Sequence, residues 1–542
     1  MIICKKVAIL TKIAPKIDAF GEFTFFVICD KMNISICPCF FRWLGMGNAI
    51  YALFWRYERK FVNMTRKLIA LGLVVLMIFA LVGCGKPKRE IVQLTLSTED
   101  SEAILAAAGI TLPDAEETAA ANTIVKWYSW YDGFHNYSED EVINTGFWTF
   151  QNKYNSDVEW IETTYGDYED GLANLILSGN SPDFTHSGSG VYPGLALQGL
   201  FDPVNDYINY DDPLWNGVKD YVTSYCSIGD NIYCMCTDIA FGQVVAYNRR
   251  VMEEWGFDDP ATLYYNDEWT WDVFYEMCVE FSDPDEDRYA LDGWSFTGGI
   301  MDSSGAEIVY YDTEAKRFQA NVDDPRLERA ATILYDLAKN ECVFPWWNNG
   351  WSLRNGTEGG GIKEGLCLFH IRGTYVFTGP VEDISNVWGD VAAGELMFCP
   401  VPRDPNGDGK YYMNCSPNGY ALIKGGENHA GAALLAMCDR FKVLDPTVIS
   451  IDRRNLEEIY LWTDEMLEMW DICYEIANSS DATIFSYNFG DKLGGYVSAF
   501  YDSAHGSDAS SWAQLKEKNS EPLVYYTEEL NMMVEEFIAQ NP

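Results

Sequence analysis

TIVKWYSW, residues 123–130, is a run of β-branched and aromatic residues that ends at the polar turn Tyr131-Asp132-Gly133, before an acidic segment able to start a helix. It reads as a buried strand. Downstream, Val158–Thr163 reads as extended, Tyr168–Ser178 as helical on the spacing of Leu172, Leu175 and Ile176, Asp183–Thr185 as extended and Leu195–Leu200 as helical. Strands alternating with helices imply α/β layers on a parallel sheet. In open sheets of this kind ligands sit at the carboxyl ends of the strands, where the polar turns are.

Charge narrows the class of ligand. The chain carries a formal net charge of −43 over 542 residues, but residues 1–63 are net +5, so the part from Cys84 onward carries −50. So acidic a body repels nucleic acid and anionic membrane surfaces, because phosphate contacts need Lys and Arg. Neutral or cationic ligands are favoured. Ten cysteines after Cys84 (226, 234, 236, 278, 342, 367, 399, 415, 438 and 473) form no CxxC pair, so buried free thiols are expected rather than a zinc site.

From Met64 the sequence reads MTRKLIALGLVVLMIFALVGCGK: two positive charges, an apolar run from Leu68 to Val82, then small residues up to Cys84. This is the pattern of a secretory signal. Its apolar run is shorter than the roughly 20 residues of a spanning helix. Leu81-Val82-Gly83-Cys84 resembles the lipobox of bacterial lipoproteins, which implies a lipid-modified Cys84 held at the outer face of the cell membrane by its acyl chains. Residues 64–83 are then the signal peptide, and residues 1–63 an upstream extension ascribed to a misassigned start. Residues 84–122, rich in charge and Ala, read as a tether with one short helix.

Several segments, in order, resemble the extracellular solute-binding proteins of carbohydrate ABC importers, the class that includes maltose-binding protein. They are the strand Ile124–Trp130, the turn Gly179-Asn180-Ser181-Pro182-Asp183-Phe184, the segment Ala246–Phe257 (AYNRRVMEEWGF), the helix start Glu268–Phe274 (EWTWDVF), Gly373 with Tyr375, and Met397–Gly407. Gly365–Leu368 departs from the family's pattern. The resemblance implies an α/β, two-lobed periplasmic-binding-protein-like fold of type II with a hinge crossed more than once. It places crossings near Thr237–Ala240 and Phe398–Pro402, with a return near residue 445. The N-terminal lobe would span 123–239 and 400–445, and the C-terminal lobe 240–399 and 446–542. It implies capture of a small solute, a sugar or oligosaccharide, for delivery to ABC permease subunits, by a monomer that meets the membrane only through its lipid and needs no cofactor.

A sugar offers apolar C–H faces flanked by hydroxyls, so its site wants aromatic rings to stack on and carboxylates or amides to bond the hydroxyls. Topology places Trp130, Tyr131 and Asp132 after the first strand and His186 and Ser187 after a later one. It also places Trp294 and Trp347, within the cluster Trp346–Trp351, in the second lobe. By resemblance, Asp238 and Tyr375 fall where the family has ligand contacts. Asp132 and Asp238 would also suit a ligand amine, which keeps peptides and polyamines open. Trp269 and Trp271 flank Thr270, which reads as a helix cap, and are expected to be structural.

Asp283–Asp287 and Asp404–Gly409 have oxygen ligands at alternating positions but lack the Glu a calcium loop needs at its twelfth position, so they read as acidic surface turns. No HExxH, GxSxG or GxxxxGK[ST] occurs. The chain therefore reads as a binder and not an enzyme, with no catalytic or metal residue assigned. The rival is a secreted glycoside hydrolase working through paired carboxylates.

Overall fold

The computed structural model describes residues 98–540, apart from 136–144, 188–190, 294, 313, 346–351, 355–356, 480–482, 486 and 505–508. The chain divides into two compact units, 1–90 and 91–542, and all described residues belong to the second. Helix α1 (Glu99–Ala107) opens it, capped by the Thr98 hydroxyl, which accepts from Ser101 N at 3.1 Å. The described part of the expected tether packs against the body. Leu105, Ala120 and Ala121 are buried, Ser101 Oγ donates to Asp445 Oδ2 at 3.1 Å, and Tyr154 Oη donates to the Pro113 carbonyl at 2.8 Å. The apolar residues spaced through this charged stretch give it a face to bury.

The quoted run is β1 (Ile124–Ser129). It is followed by α2 (Thr145–Tyr154), β2 (Asp157–Glu162), α3 (Tyr168–Leu177) and β3 (Phe184–His186). β1 pairs in parallel with β2 along its whole length, Ile124 opposite Asp157 through Ser129 opposite Glu162, and with β3 at Trp127 opposite Phe184. Val125, Trp127, Tyr128 and Phe184 are buried, as parallel strands covered on both faces require. The strand–helix alternation read from the sequence is thus the one observed.

The chain then runs through β4 (Met235–Phe241) directly into β5 (Val244–Asn248), with only Gly242 and Gln243 between them. Asn248 caps the next helix, α4 (Arg249–Trp255), by accepting from Val251 N at 3.2 Å, and Gly256 ends it at φ 71°, a left-handed conformation that costs glycine little. Further on come α5 (Trp271–Phe281), β6 (Tyr289–Leu291), α6 (Ser295–Asp302), β7 (Cys367–Arg372) and β8 (Leu396–Cys399). They are followed by β9 (Met413–Ile423), α7 (His429–Leu444), α8 (Asp464–Ala477), β10 (Thr483–Phe485), α9 (Gly490–Tyr501) and α10 (Trp512–Gln540).

Two main sheets result. The first has the order β10-β9-β3-β1-β2, with β4 and the short strand Phe201–Asp202 also paired to β9; the second has the order β8-β5-β7-β6. Each sheet carries its own helical layers, giving the mixed α/β, two-lobed fold of type II. The chain passes from the first sheet to the second at Gly242-Gln243 and returns between Cys399 and Met413. Gly242 N donates to the Asn414 carbonyl at 2.6 Å, which straps the two crossings side by side. Beyond α7, helix α8 packs against β8 of one sheet and against β4 and β9 of the other, and β10 joins the first sheet beside β9. The segment 446–542 therefore contributes to the first sheet as well as to the second lobe's surroundings.

Trp269 and Trp271 are buried, their indoles donating to the Pro400 carbonyl at 2.8 Å and Ser303 Oγ at 3.0 Å. Thr270 stands at the N-cap position of α5, but its hydroxyl makes no capping hydrogen bond. The ten cysteines from 226 to 473 form no disulfide and are buried. Asp404 pairs with Arg329 and accepts from Asn406 N at 2.8 Å, and Asp283 pairs with Arg288 at 3.2 Å, so both acidic turns are closed by their own neighbours. Among the described residues, no helix is long and apolar enough to cross a membrane.

Candidate ligand-binding site

The carboxyl ends of β1 and β3 bring four of the expected residues together. Trp130 and Tyr131 follow β1 and are 40% and 44% exposed, large rings left in solvent although the strand before them is buried. The Tyr131 hydroxyl and His186 Nε2 share a hydrogen bond, and their rings stack at 5.5 Å with 26° between planes. Beneath them Trp127 meets His186 edge-on at 4.4 Å, so the buried core fixes the ring that faces outward. Burial pushes the His186 imidazole down to about 4, leaving it neutral at physiological pH. Ser187 is buried, its N–H donating to the Gly419 carbonyl at 3.0 Å and its hydroxyl to the Pro417 carbonyl at 3.4 Å. It positions the strand end rather than offering a free hydroxyl.

Asp132 is committed locally. Its carboxylate accepts from Phe134 N at 3.0 Å and His135 N at 3.1 Å and lies 3.2 Å from His135 Nδ1. An Asp two residues before a turn amide makes this arrangement readily, and it shapes the loop that presents Tyr131.

On the hinge side, Asp238 lies on β4 opposite Asn418 of β9. It accepts from Tyr474 Oη at 2.7 Å, and burial pushes its carboxyl above the usual range against the pull of Tyr474 and Arg440. Trp470 stacks on Tyr474 at 5.4 Å with 14° between planes, and Phe241 packs on Trp470 at 5.8 Å. The aromatic pair lies one helical turn apart on α8, so both rings fall on one face. That spacing was the sequence signal for it; nothing local ties it to the hinge.

The second lobe supplies β7 and its end. Arg372 Nη1 donates to Ser295 Oγ at 2.7 Å, Arg372 pairs with Glu358, and its guanidinium carbon sits 5.7 Å from the Tyr375 ring centre. His370 and Arg372 hold the Glu358 carboxyl below its usual range. Tyr375 is 61% exposed. A Cβ on Gly373 would come within 3.0 Å of the Gly242 carbonyl, which puts the end of β7 against the hinge. Neither Arg372 nor Glu358 stood out in a chain with 38 Lys and Arg and 81 acids. Trp294, Trp347 and Cys84 lie outside the described residues.

Three groups of candidate residues result: exposed rings and a neutral imidazole on the first sheet, a carboxylate with a tyrosine at the hinge, and a compensated arginine with a tyrosine on the second sheet. Exposed rings and hydroxyl-bonding groups are the chemistry that a polar, hydroxylated, uncharged solute requires.

Comparison with known proteins agrees with the two-lobed α/β fold. The family model of bacterial extracellular solute-binding proteins matches residues 136–362. No curated protein matches the sequence. Among solved structures, the sugar-binding protein MalE from Xanthomonas citri is similar at 12% identity with a TM-score of 0.53, covering 77% of this chain and 100% of that one. The GacH receptor of Streptomyces glaucescens, solved unliganded and with acarbose, is similar at 14% identity and TM-score 0.51, covering 76% and 98%. The galacto-N-biose/lacto-N-biose I-binding protein of the ABC transporter from Bifidobacterium longum, in complex with lacto-N-biose, is similar at 14% identity and TM-score 0.51, covering 77% and 98%. At these identities the likeness is one of fold.

Proposed function

We propose, from the premise that residues 136–362 carry the mark of a bacterial extracellular solute-binding protein, that this chain is the substrate-binding component of an ABC importer and that its solute is a carbohydrate. The observation that carries the reading is the meeting of exposed Trp130 and Tyr131 with neutral His186 beside a hinge of two adjacent strand crossings. Closure then needs only that the ligand bind the closed state better than the open one, and the permease distinguishes the two.

The carboxylates near the rings favour holding a ligand over turning it over. Asp132 is spent on its own loop, which leaves Asp238, bonded to Tyr474 through one oxygen, without a second carboxylate beside it among the described residues, whereas a glycosidase needs both an acid and a nucleophile or base facing the scissile bond. Lipid attachment at Cys84 and a monomeric state complete the proposal.

A thermal-shift screen of the chain from Cys84 onward against sugars, oligosaccharides, amino acids, peptides and polyamines tests it. A ligand at a hundred times its Kd stabilises the fold by about 2.7 kcal/mol. A shift with sugars alone is the expected result; a shift with peptides or polyamines alone, or turnover of a glycan, would overturn the carbohydrate-binder reading.

A further inference from the structure

Tyr131 and His186 stack on one another at the inner end, and the aromatic surface does not stop there. Strand order from the hinge outward is β4, β9, β3, β1, β2. Rings stand at the ends of the last three: His186 as the last residue of β3, Tyr131 and Trp130 after β1, and Tyr165 in the loop after β2. Their centres follow one another at 5.5 Å (His186 to Tyr131), 5.9 Å (Tyr131 to Trp130) and 5.4 Å (Trp130 to Tyr165). Neighbouring strands stand about 4.8 Å apart, so a row of rings on successive strand ends is a direct product of the parallel sheet.

Tyr165 is 80% exposed, so core packing gives no account of its ring. It is nevertheless held. The Thr164 hydroxyl donates to Asp167 Oδ2 at 2.7 Å and accepts from Asp167 N at 3.1 Å, pinning the loop. Tyr168, whose hydroxyl shares a 2.8 Å hydrogen bond with Thr185 Oγ1, supports Trp130 edge-on at 5.5 Å. Trp130 and Tyr165 meet with 87° between their planes, and Trp130 and Tyr131 with 63°, so the faces turn along the row and form a trough rather than a flat table. Residues 162–170 (ETTYGDYED) hold four acids and no Lys or Arg, which excludes an acidic sugar from the outer end.

We propose that the site takes an uncharged oligosaccharide of three or more units, running from the hinge outward along the ends of β3, β1 and β2, and that Tyr165 is the ring that receives its outer unit. This rests on the carbohydrate-binding reading above. The inner unit stacks at Tyr131 and His186, the next lies against Trp130, and each further pyranose meets one more ring face. Tyr165 then determines the length of glycan preferred without contributing to the inner unit.

Titration calorimetry tests this with the chain from Cys84 onward, its Tyr165→Ala and Tyr165→Phe variants, and Tyr131→Ala. The probes are glucose-, galactose-, mannose- and xylose-based sugars of one to five units. The expected result is affinity that rises up to three or four units in at least one series. In Tyr165→Ala, affinity for those longer sugars falls about 5–10-fold, the worth of one stacked ring, with the affinity for one- and two-unit sugars unchanged. Tyr165→Phe keeps the gain, and Tyr131→Ala lowers affinity at every length. Equal affinity for single sugars and longer ones, or a Tyr165→Ala loss that is the same at all lengths or absent, overturns the proposal and leaves the carbohydrate reading standing. Binding of no sugar at any length overturns both.

Discussion

The Asn414 side-chain amide donates to Asp302 Oδ2 at 3.0 Å, joining strand β9 of the first sheet to helix α6 of the second lobe. The other carboxylate oxygen accepts from Tyr501 Oη at 3.2 Å, and the same Asn414 accepts the Gly242 amide through its main chain. One buried carboxyl thus sits where both hinge crossings, the second lobe and α9 meet.

Burial pushes the Asp302 carboxyl up to about 7, and Glu307, whose Oε1 accepts from Phe485 N at 3.2 Å, is pushed up to about 8 by burial and by Asp302. A raised carboxyl favours the fold when protonated. Its contribution is full below about pH 4 and is lost as pH climbs through 7. Asp302→Asn should therefore flatten the decline of stability between pH 4 and 7 and leave the variant about 2–4 kcal/mol more stable than the parent at pH 8, less whatever the changed Tyr501 contact removes. Urea unfolding at pH 5, 6, 7 and 8 measures it; parallel curves for parent and variant would show that Asp302 does not titrate in the folded range.

His186 acts in the opposite sense. Its imidazole is held near 4 against an ordinary value near 6.5, so the stability it contributes is full above 6.5 and is lost as pH falls towards 4. His186→Phe, which keeps a ring against Trp127, should lose that acid limb. The same urea series extended down to pH 4 reads the difference.

Asp238→Asn should weaken ligand binding by about 1–3 kcal/mol with little change in melting temperature, because it removes a charged acceptor while the amide can keep the Tyr474 hydrogen bond. Calorimetry on whichever sugar the screen identifies provides the check. Unchanged affinity would remove Asp238 from the ligand's surroundings.

Gly419 interrupts the β9–β4 ladder, where the register shifts between Asn418 and Gly419. A Cβ there would lie 2.1 Å from the Met235 carbonyl. Gly419→Ala must push two paired strands apart beneath Ser187, and a loss of about 2–4 kcal/mol is expected in denaturant unfolding.

Cys84→Ser should release the protein from the membrane fraction of the producing cell into the medium or periplasm without changing its sugar affinity, since two acyl chains hold a protein where none does. Fractionation followed by immunoblotting shows the partition; a protein still membrane-bound after the substitution would place the anchor elsewhere.

Local pattern carried the fold far. β1, β2 and α3 lie within a residue or so of their sequence boundaries because each buries an apolar set whose period is visible in ten residues. The signature AYNRRVMEEWGF likewise holds its own cap and stop in Asn248 and Gly256. What stayed hidden depends on pairs distant in sequence. Tyr474 meets Asp238 across 236 positions, and Arg372 finds Ser295 across 77. Tyr165 is invisible for a different reason: a tyrosine between a glycine and two threonines reads as loop, and only strand order puts it beside Trp130. Asp132 shows the converse, a residue rightly placed at the strand end whose oxygens its own turn had already claimed.

The ten buried thiols set a schedule. None is cross-linked, so the native molecule hides every reactive sulfur it has among the described residues, and nothing covalent remembers the native pairing of distant segments. Once folded, the protein is indifferent to oxidants too large to enter its core. While still extended outside the cytoplasm it is not, since ten thiolates can join wrongly in many ways. Collapse of the two lobes must outrun oxidation, and alkylation of its cysteines becomes a clock for the time spent unfolded.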